Sequence, residues 1–179
     1  MRSSALTVLI LLLLTSCLPQ GQYNVGTSTP QPSTPTPPSS TSGSSENNDF
    51  QSSVLAAVNQ LRAQGCRCGS TNYPSTTPLS WNNQLQIAAE RHAKDIQKRG
   101  KLNHKGSDGS TIASRVKATG YDWKNVAENL ALGDFNTRTV IDAWKRSPGH
   151  CKNMMDGVYK EVAVHQLGNY WVMVLGTSF

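Results

Sequence analysis

From Leu18 to about Asp49 the chain is built of Ser, Thr, Pro, Gly and Gln with almost no large apolar residue. Such a stretch cannot bury enough surface to offset the entropy lost on ordering it. Any core must therefore come from residues 50–179, a length suited to one domain around one core. Residues 18–49 read as a tether that, fully extended at about 3.1 Å per residue, reaches on the order of 100 Å. Its Ser/Thr/Pro content also suits sugar attachment.

Ahead of the tether, Arg2 and the apolar run Ala5 to Leu14 have the basic start and short hydrophobic centre of a secretory signal, and the run is too short to span a bilayer. Leu14-Thr15-Ser16-Cys17 looks like the end of a bacterial lipobox, in which Cys17 becomes the acylated N-terminus; ordinary cleavage nearby would discard it. The expected location is secreted or cell-surface, lipid-anchored to a bacterial membrane, and two or more acyl chains make such an anchor firm. The net charge is +6, with Lys94, Lys98, Arg99, Lys101 and Lys105 gathered near one helix end. For an exported chain this argues against nucleic acid and for a solvated helix face that can meet anionic envelope polymers or lipid headgroups. Within the domain, export permits disulfides. Cys66 and Cys68 stand one residue apart, so one of them bridges to Cys151, or the three hold a soft metal.

Helical spacing of Val54, Leu55, Val58 and Leu61, with Gly65 as a stop, predicts a first amphipathic helix. Gly69 to Pro78 reads as a loop. A second, stronger helix runs over 83–99, with Leu85, Ala88, Ala89, His92 and Ile96 on one face. His92 on that face reads as a core residue with one satisfied hydrogen bond. A short helix over 111–119 follows a capping Ser110 and ends at Gly120. Asn136-Thr137 caps another, with Val140, Ile141 and Trp144 as its buried stripe, and Ser147-Pro148-Gly149 stops it and presents His150. Period-two alternation on either side of Gly168-Asn169 predicts a hairpin of 161–167 and 170–176 in which Glu161, Ala163 and His165 share a face.

Four residues carry candidate chemistry: His104, Glu128, His150 and Glu161, each in a segment that reads as a turn, cap or strand edge. Neutral imidazoles ligate divalent metals, and carboxylates ligate, orient a ligating His or move protons. Their spacing matches no local metal motif.

The order of motifs supplies what spacing does not. Cys68-Gly69, Leu79-Ser80-Trp81-Asn82, Ala88-Ala89-Glu90-Arg91-His92, Asn103-His104, Asp108-Gly109-Ser110, Arg115, Gly120-Tyr121, Ala127-Glu128-Asn129-Leu130-Ala131, Ser147-Pro148-Gly149-His150-Cys151-Lys152-Asn153, Glu161-Val162-Ala163-Val164 and Tyr170-Trp171 follow one another across residues 54–176. This series resembles the bacterial branch of the CAP superfamily, which takes in cysteine-rich secretory proteins, antigen 5 and pathogenesis-related proteins. The resemblance implies an α+β fold, a three-layer α-β-α sandwich around a central antiparallel sheet, occupying residues 50–179. It implies a Cys68–Cys151 disulfide, with Cys66 left over, and a cleft lined by His104, Glu128, His150 and Glu161. Ala127 stands where the family usually has Gly, and the animal-type run of His, an aromatic, Thr and Gln is absent, so activities of eukaryotic relatives do not carry over.

Within that cleft His104 and His150 are the expected ligands of Zn²⁺ or another divalent ion. Two imidazoles are one strong ligand short of the usual catalytic zinc site. The leading expectation is thus a surface-tethered binding module whose cleft takes a metal weakly and a polar or anionic ligand. The alternative is a metal-assisted hydrolase of peptide or cell-wall material, with Glu128 or Glu161 as base. A third reading makes the four residues a hydrogen-bonded network that only holds the loops.

Overall fold

The structure, a computed structural model, describes residues 42–179. The secretory signal over 1–17, its Cys17 and residues 18–41 of the expected tether lie outside the described residues. The first helix, α1, spans Ser42–Gln64 and so begins earlier than the compositional break at residue 50. Once Val54, Val58 and Leu61 are anchored in the core, extending a formed helix through Glu46–Asp49 fixes one residue per added bond, a far smaller cost than nucleation.

The segment expected to be a plain loop contains a two-stranded ribbon, β1 (Cys66–Cys68) and β2 (Thr71–Tyr73). Then come β3 (Ser80–Trp81), α2 (Asn83–Arg99), α3 (Ile112–Lys117), β4 (Trp123–Leu132), α4 (Thr137–Arg146), α5 (Pro148–Met155), β5 (Glu161–Leu167) and β6 (Tyr170–Ser178). Asn82 caps α2 by accepting from the backbone N–H groups of Gln84 and Leu85, and Gly100 closes it in the left-handed region. Thr111, not Ser110, caps α3.

The sheet runs β3-β5-β6-β4. Its main body is antiparallel, β5 on β6 and β6 on β4, with the two-residue β3 added parallel to β5. Alternation sorts the side chains into two layers. Ala163, Val172 and Val174 meet Leu85, Ala88, Ala89 and Ile96 of α2. Val162, Val164, Met173 and Leu175 pack on the opposite face with residues of α1, α4 and α5, including Val58, Trp144 and Met154. The result is the expected α-β-α sandwich.

Strand β4 forms one edge of the sheet and touches both helical layers. Trp144 of α4 donates its indole N–H to the carbonyl of Leu130 (3.1 Å). Alternate β4 residues thereafter serve opposite layers: Glu128, paired with Val174, faces the α2 side, and its neighbour Asn129, paired with Met173, faces α5.

Candidate functional site at the β4 edge

Glu128 is the centre of the arrangement. Its side chain is 2% exposed, yet it meets two charged or chargeable partners. Arg115 of α3, itself 1% exposed, donates from Nη2 to Glu128 Oε2 at 2.6 Å. His104, on the loop after α2, donates from Nδ1 to Glu128 Oε1 at 2.8 Å. The same Arg115 Nη2 reaches the backbone carbonyl of His104 at 3.1 Å, and Nη1 reaches that of Ser110. One guanidinium therefore fixes both the carboxylate and the loop that carries the imidazole. Isolated buried charges are very costly, and here each is held by the other through short charge-assisted hydrogen bonds.

This chain of bonds determines the state of His104. Donation to a carboxylate assigns the proton to Nδ1 and leaves Nε2 with the free lone pair of the neutral ring. The hydrogen bond to Glu128 raises the His104 pKa above its ordinary 6.5, with burial working the other way. The side chain is 63% exposed. An outward, carboxylate-oriented imidazole is suited to ligate a cation, to accept a proton or to bind an anion once protonated.

His150 approaches from the opposite layer. Pro148 occupies the first position of α5, where its missing N–H costs nothing. Ser147-Pro148-Gly149 thus starts a helix instead of ending in a free turn, and His150 lies in the first turn of α5. Asn129 holds this turn by donating to the His150 carbonyl at 3.1 Å and accepting from Asn153 Nδ2 at 2.8 Å. Burial, and then the nearby His104, depress the His150 pKa, so the ring favours its neutral form. The covalent brace beside it is the Cys68–Cys151 disulfide, which leaves Cys66 as a free thiol. Gly69 has a left-handed φ of +62°, and a Cβ there would stand 3.2 Å from Pro148 Cβ, so the bridge segment seats closely against the start of α5.

Glu161 does not join this group. It shares the α2 face of the sheet, but β6 lies between its strand and β4, and two strand spacings are roughly 10 Å. Its carboxylate accepts from Asn82 Nδ2 at 2.7 Å and from the Tyr121 hydroxyl. Tyr121 lies over Gly176, where a Cβ would come within 2.9 Å of the phenol oxygen. Glu161 thus ties the α2 cap to the sheet, and, against the expectation of four residues meeting in one hollow, it is hydrogen-bonded to Asn82 and Tyr121 and not to the Glu128 group. His165, four residues along, lies near Glu90 and Lys94 of α2, and burial lowers its pKa.

Two contributors stand out less in the sequence. Arg115 is visible there as one motif residue without a role; the signal for more is a cation beside Val116 in a short helix whose inner face must be buried. His92, expected as a core residue, is fully buried and donates from Nε2 to the Asn103 carbonyl (2.9 Å), with Glu128 Oε1 3.7 Å from the same nitrogen. Burial holds its pKa below 6.5. Its Nδ1 and the Nε of Arg115 have no hydrogen-bond partner among the described residues. The cationic cluster near α2 is partly neutralised within its own helix, Lys94 by Glu90 and Arg99 by Asp95, as a solvated face requires.

The model of the cysteine-rich secretory protein family, CAP, matches residues 55–173. The chain belongs to the CAP family. An uncharacterised protein of Bacillus subtilis, YkwD, is 25% identical to this CAP chain over 96 residues, 52% of the chain and 37% of the relative. The chain thus spans little more than a third of that relative's length. Among solved structures, an extracellular protein containing an SCP domain from Bacillus anthracis superimposes with a TM-score of 0.64 at 18% identity, over 73% of this chain and 41% of that one. An outer surface protein of Borrelia burgdorferi does so with a TM-score of 0.59 at 16% identity, over 75% and 94%. At such identities the likeness concerns the fold, and it agrees with the α+β sandwich described above.

Proposed function

We propose that this chain is an extracytoplasmic CAP-domain binding module, held to a membrane through acylated Cys17, whose cleft at the β4 edge takes a divalent cation and a polar or anionic ligand. The location is supported by the secretory signal and by the descriptions of its structural neighbours as extracellular or outer-surface proteins. The observation that carries the binding reading is the Arg115–Glu128–His104 chain of hydrogen bonds, which leaves His104 Nε2 unspent on the protein's surface. His104 and His150 fit a borderline-soft cation such as Zn²⁺ as neutral imidazole donors. Both oxygens of Glu128 already accept hydrogen bonds, so it serves as the outer carboxylate that orients His104. Two protein ligands make a weak, exchangeable site that leaves coordination positions for water or an anionic ligand.

Isothermal titration of Zn²⁺ into the parent and into a His104→Ala/His150→Ala double variant tests this. A saturable one-site isotherm in the parent that disappears in the variant is expected; identical isotherms would remove the metal from the proposal.

The carboxylate-held imidazole also favours a second reading, metal-assisted hydrolysis of peptide or cell-wall material, in which the bound ion would polarise a carbonyl or acidify water. His104 and His150 would hold that ion, with Glu128 keeping His104 Nδ1 protonated so that Nε2 is the ligating atom. Peptides and peptidoglycan fragments incubated with the protein, with and without chelator, discriminate between the readings. Chelator-sensitive cleavage would establish the hydrolase, and silence under both conditions would favour the binding module.

A further inference from the structure

Beside the Cys68–Cys151 brace stands a third sulfur to which no role has been given. Cys66 Sγ lies 3.4 Å from Cys151 Sγ and 3.7 Å from Cys68 Sγ, while Cys68 and Cys151 are joined. Cys66 and Cys68 occupy alternate positions of β1, opposite Tyr73 and Thr71 of β2, so their side chains leave the same face. Cys151 therefore stands within contact of both sulfurs of one strand and is bonded to one of them; Cys66 lies beside that bond and off its axis, so in-line attack follows a rotation of the Cys66 side chain. Cys66 is a half-buried residue with a free thiol among the described cysteines. The next residue, Arg67, lines a cavity of about 430 Å³ together with Lys145, Arg146 and the carboxylate Asp142. Of these cations Lys145 acts on Cys66 and favours its thiolate.

We propose that Cys66, Cys68 and Cys151 form an intramolecular thiol–disulfide exchange site, in which the bridge to Cys151 migrates between Cys68 and Cys66. In the forward step the Cys66 thiolate attacks Cys151 Sγ. A Cys66–Cys151 bond forms as the Cys68–Cys151 bond breaks, and the electron pair of the old bond leaves on Cys68, which takes up a proton. One disulfide and one thiol exist before and after, so no external oxidant or reductant is consumed. Migration moves the anchor of α5 by two residues along β1, about 7 Å of strand, next to the turn that carries His150. Burial holds the Cys66 thiol above its ordinary value and outweighs Lys145. The bridge therefore rests near neutral pH, and migration accelerates about tenfold per pH unit until the thiol has ionised.

The test is disulfide mapping of the full chain after incubation at neutral and at alkaline pH. The free thiol is captured with N-ethylmaleimide at mildly acidic pH, and the chain is digested with pepsin at low pH. Fragmentation of the peptide that carries both Cys66 and Cys68 reads which of them bears the label and which is linked to Cys151. The Cys66–Cys151 linked peptide should appear beside the Cys68–Cys151 peptide. It should form faster at alkaline pH, at a rate independent of protein concentration, and mapping separates any product of Cys17. A Cys68→Ser variant oxidised with glutathione disulfide should contain a Cys66–Cys151 bridge and no free thiol at either position. Either of two results overturns the proposal: the Cys68–Cys151 bridge alone after prolonged alkaline incubation, or Cys66 and Cys151 recovered unlinked in Cys68→Ser.

Discussion

Glu128 shows how a single buried carboxylate can define a surface site. It faces two partners with different requirements: Arg115 needs a counter-charge because it has no access to water, and His104 needs an acceptor to fix its tautomer. The consequences separate experimentally. Glu128→Gln removes the negative charge but keeps the volume, so the His104 pKa, raised in the parent, should fall toward 6.5, as read by the pH titration of its ring protons in NMR. Arg115→Ala instead leaves Glu128 buried without its cation and should cost about 3–5 kcal/mol of stability in urea unfolding, the range for breaking one half of a buried pair. His92 supplies a third, pH-dependent effect. Burial lowers its pKa against the opposing pull of Glu128 and Asp95, with Arg115 on the same side as burial. The unfolded chain therefore takes up a proton at His92 that the folded chain resists. This contribution to stability is intact above 6.5 and is lost as pH falls toward the folded value. The urea midpoint should drop between pH 7 and pH 5 and should drop less in His92→Gln.

Elements differ in how far the sequence reveals them, and the differences have physical causes. Helix α2 combines a capping Asn82, a clean apolar stripe and a terminal Gly100, so local and tertiary preferences agree. The β5–β6 hairpin is announced by alternation around Gly168-Asn169 in the same way. Strand β4 is not legible, because its residues Trp123-Lys-Asn-Val-Ala-Glu-Asn-Leu-Ala-Leu132 serve a half-open edge, then a buried ion pair, then two apolar layers. No period-two pattern survives those three environments. Likewise Pro148 and Gly149 signal the stop that α4 makes at Ser147, but read alone they do not show that the disulfide and Asn129 hold them as the beginning of α5. Glu161 escapes the sequence for a related reason: alternation gives the face of a side chain but not the number of strands between it and a distant residue. Its actual task predicts a result at this scale. Asn82→Ala removes the two N-cap hydrogen bonds and the bond to Glu161, and should lower stability by about 1–2 kcal/mol in chemical denaturation. Zn²⁺ binding at His104 and His150 should be unaffected.

At the level of the whole molecule, the two cores on either side of the sheet are joined through β4 and its neighbours, and the covalent brace belongs to only one of them. Cys68–Cys151 spans 83 residues and ties the ribbon after α1 to α5, the layer that presents His150. Family resemblance selects Cys68 over Cys66 from the sequence, but resemblance does not reveal that both sulfurs lie beside Cys151. A loop of that length restricts the unfolded chain by about 4–5 kcal/mol in the chain-entropy description. Cys151→Ser removes both bridges to α5 and should lower unfolding stability by about 2–5 kcal/mol under non-reducing conditions. Cys68→Ser should cost clearly less, because Cys66 closes a loop of nearly the same length, 85 residues, from a sulfur already 3.4 Å away. Guanidinium unfolding of the two variants, repeated with a dithiol reductant, measures the difference. The gap between them should close on reduction, which removes the alternative Cys66–Cys151 bridge. A gap that persists in reductant would instead trace to packing around the substituted side chains, the buried Cys151 against the less central Cys68.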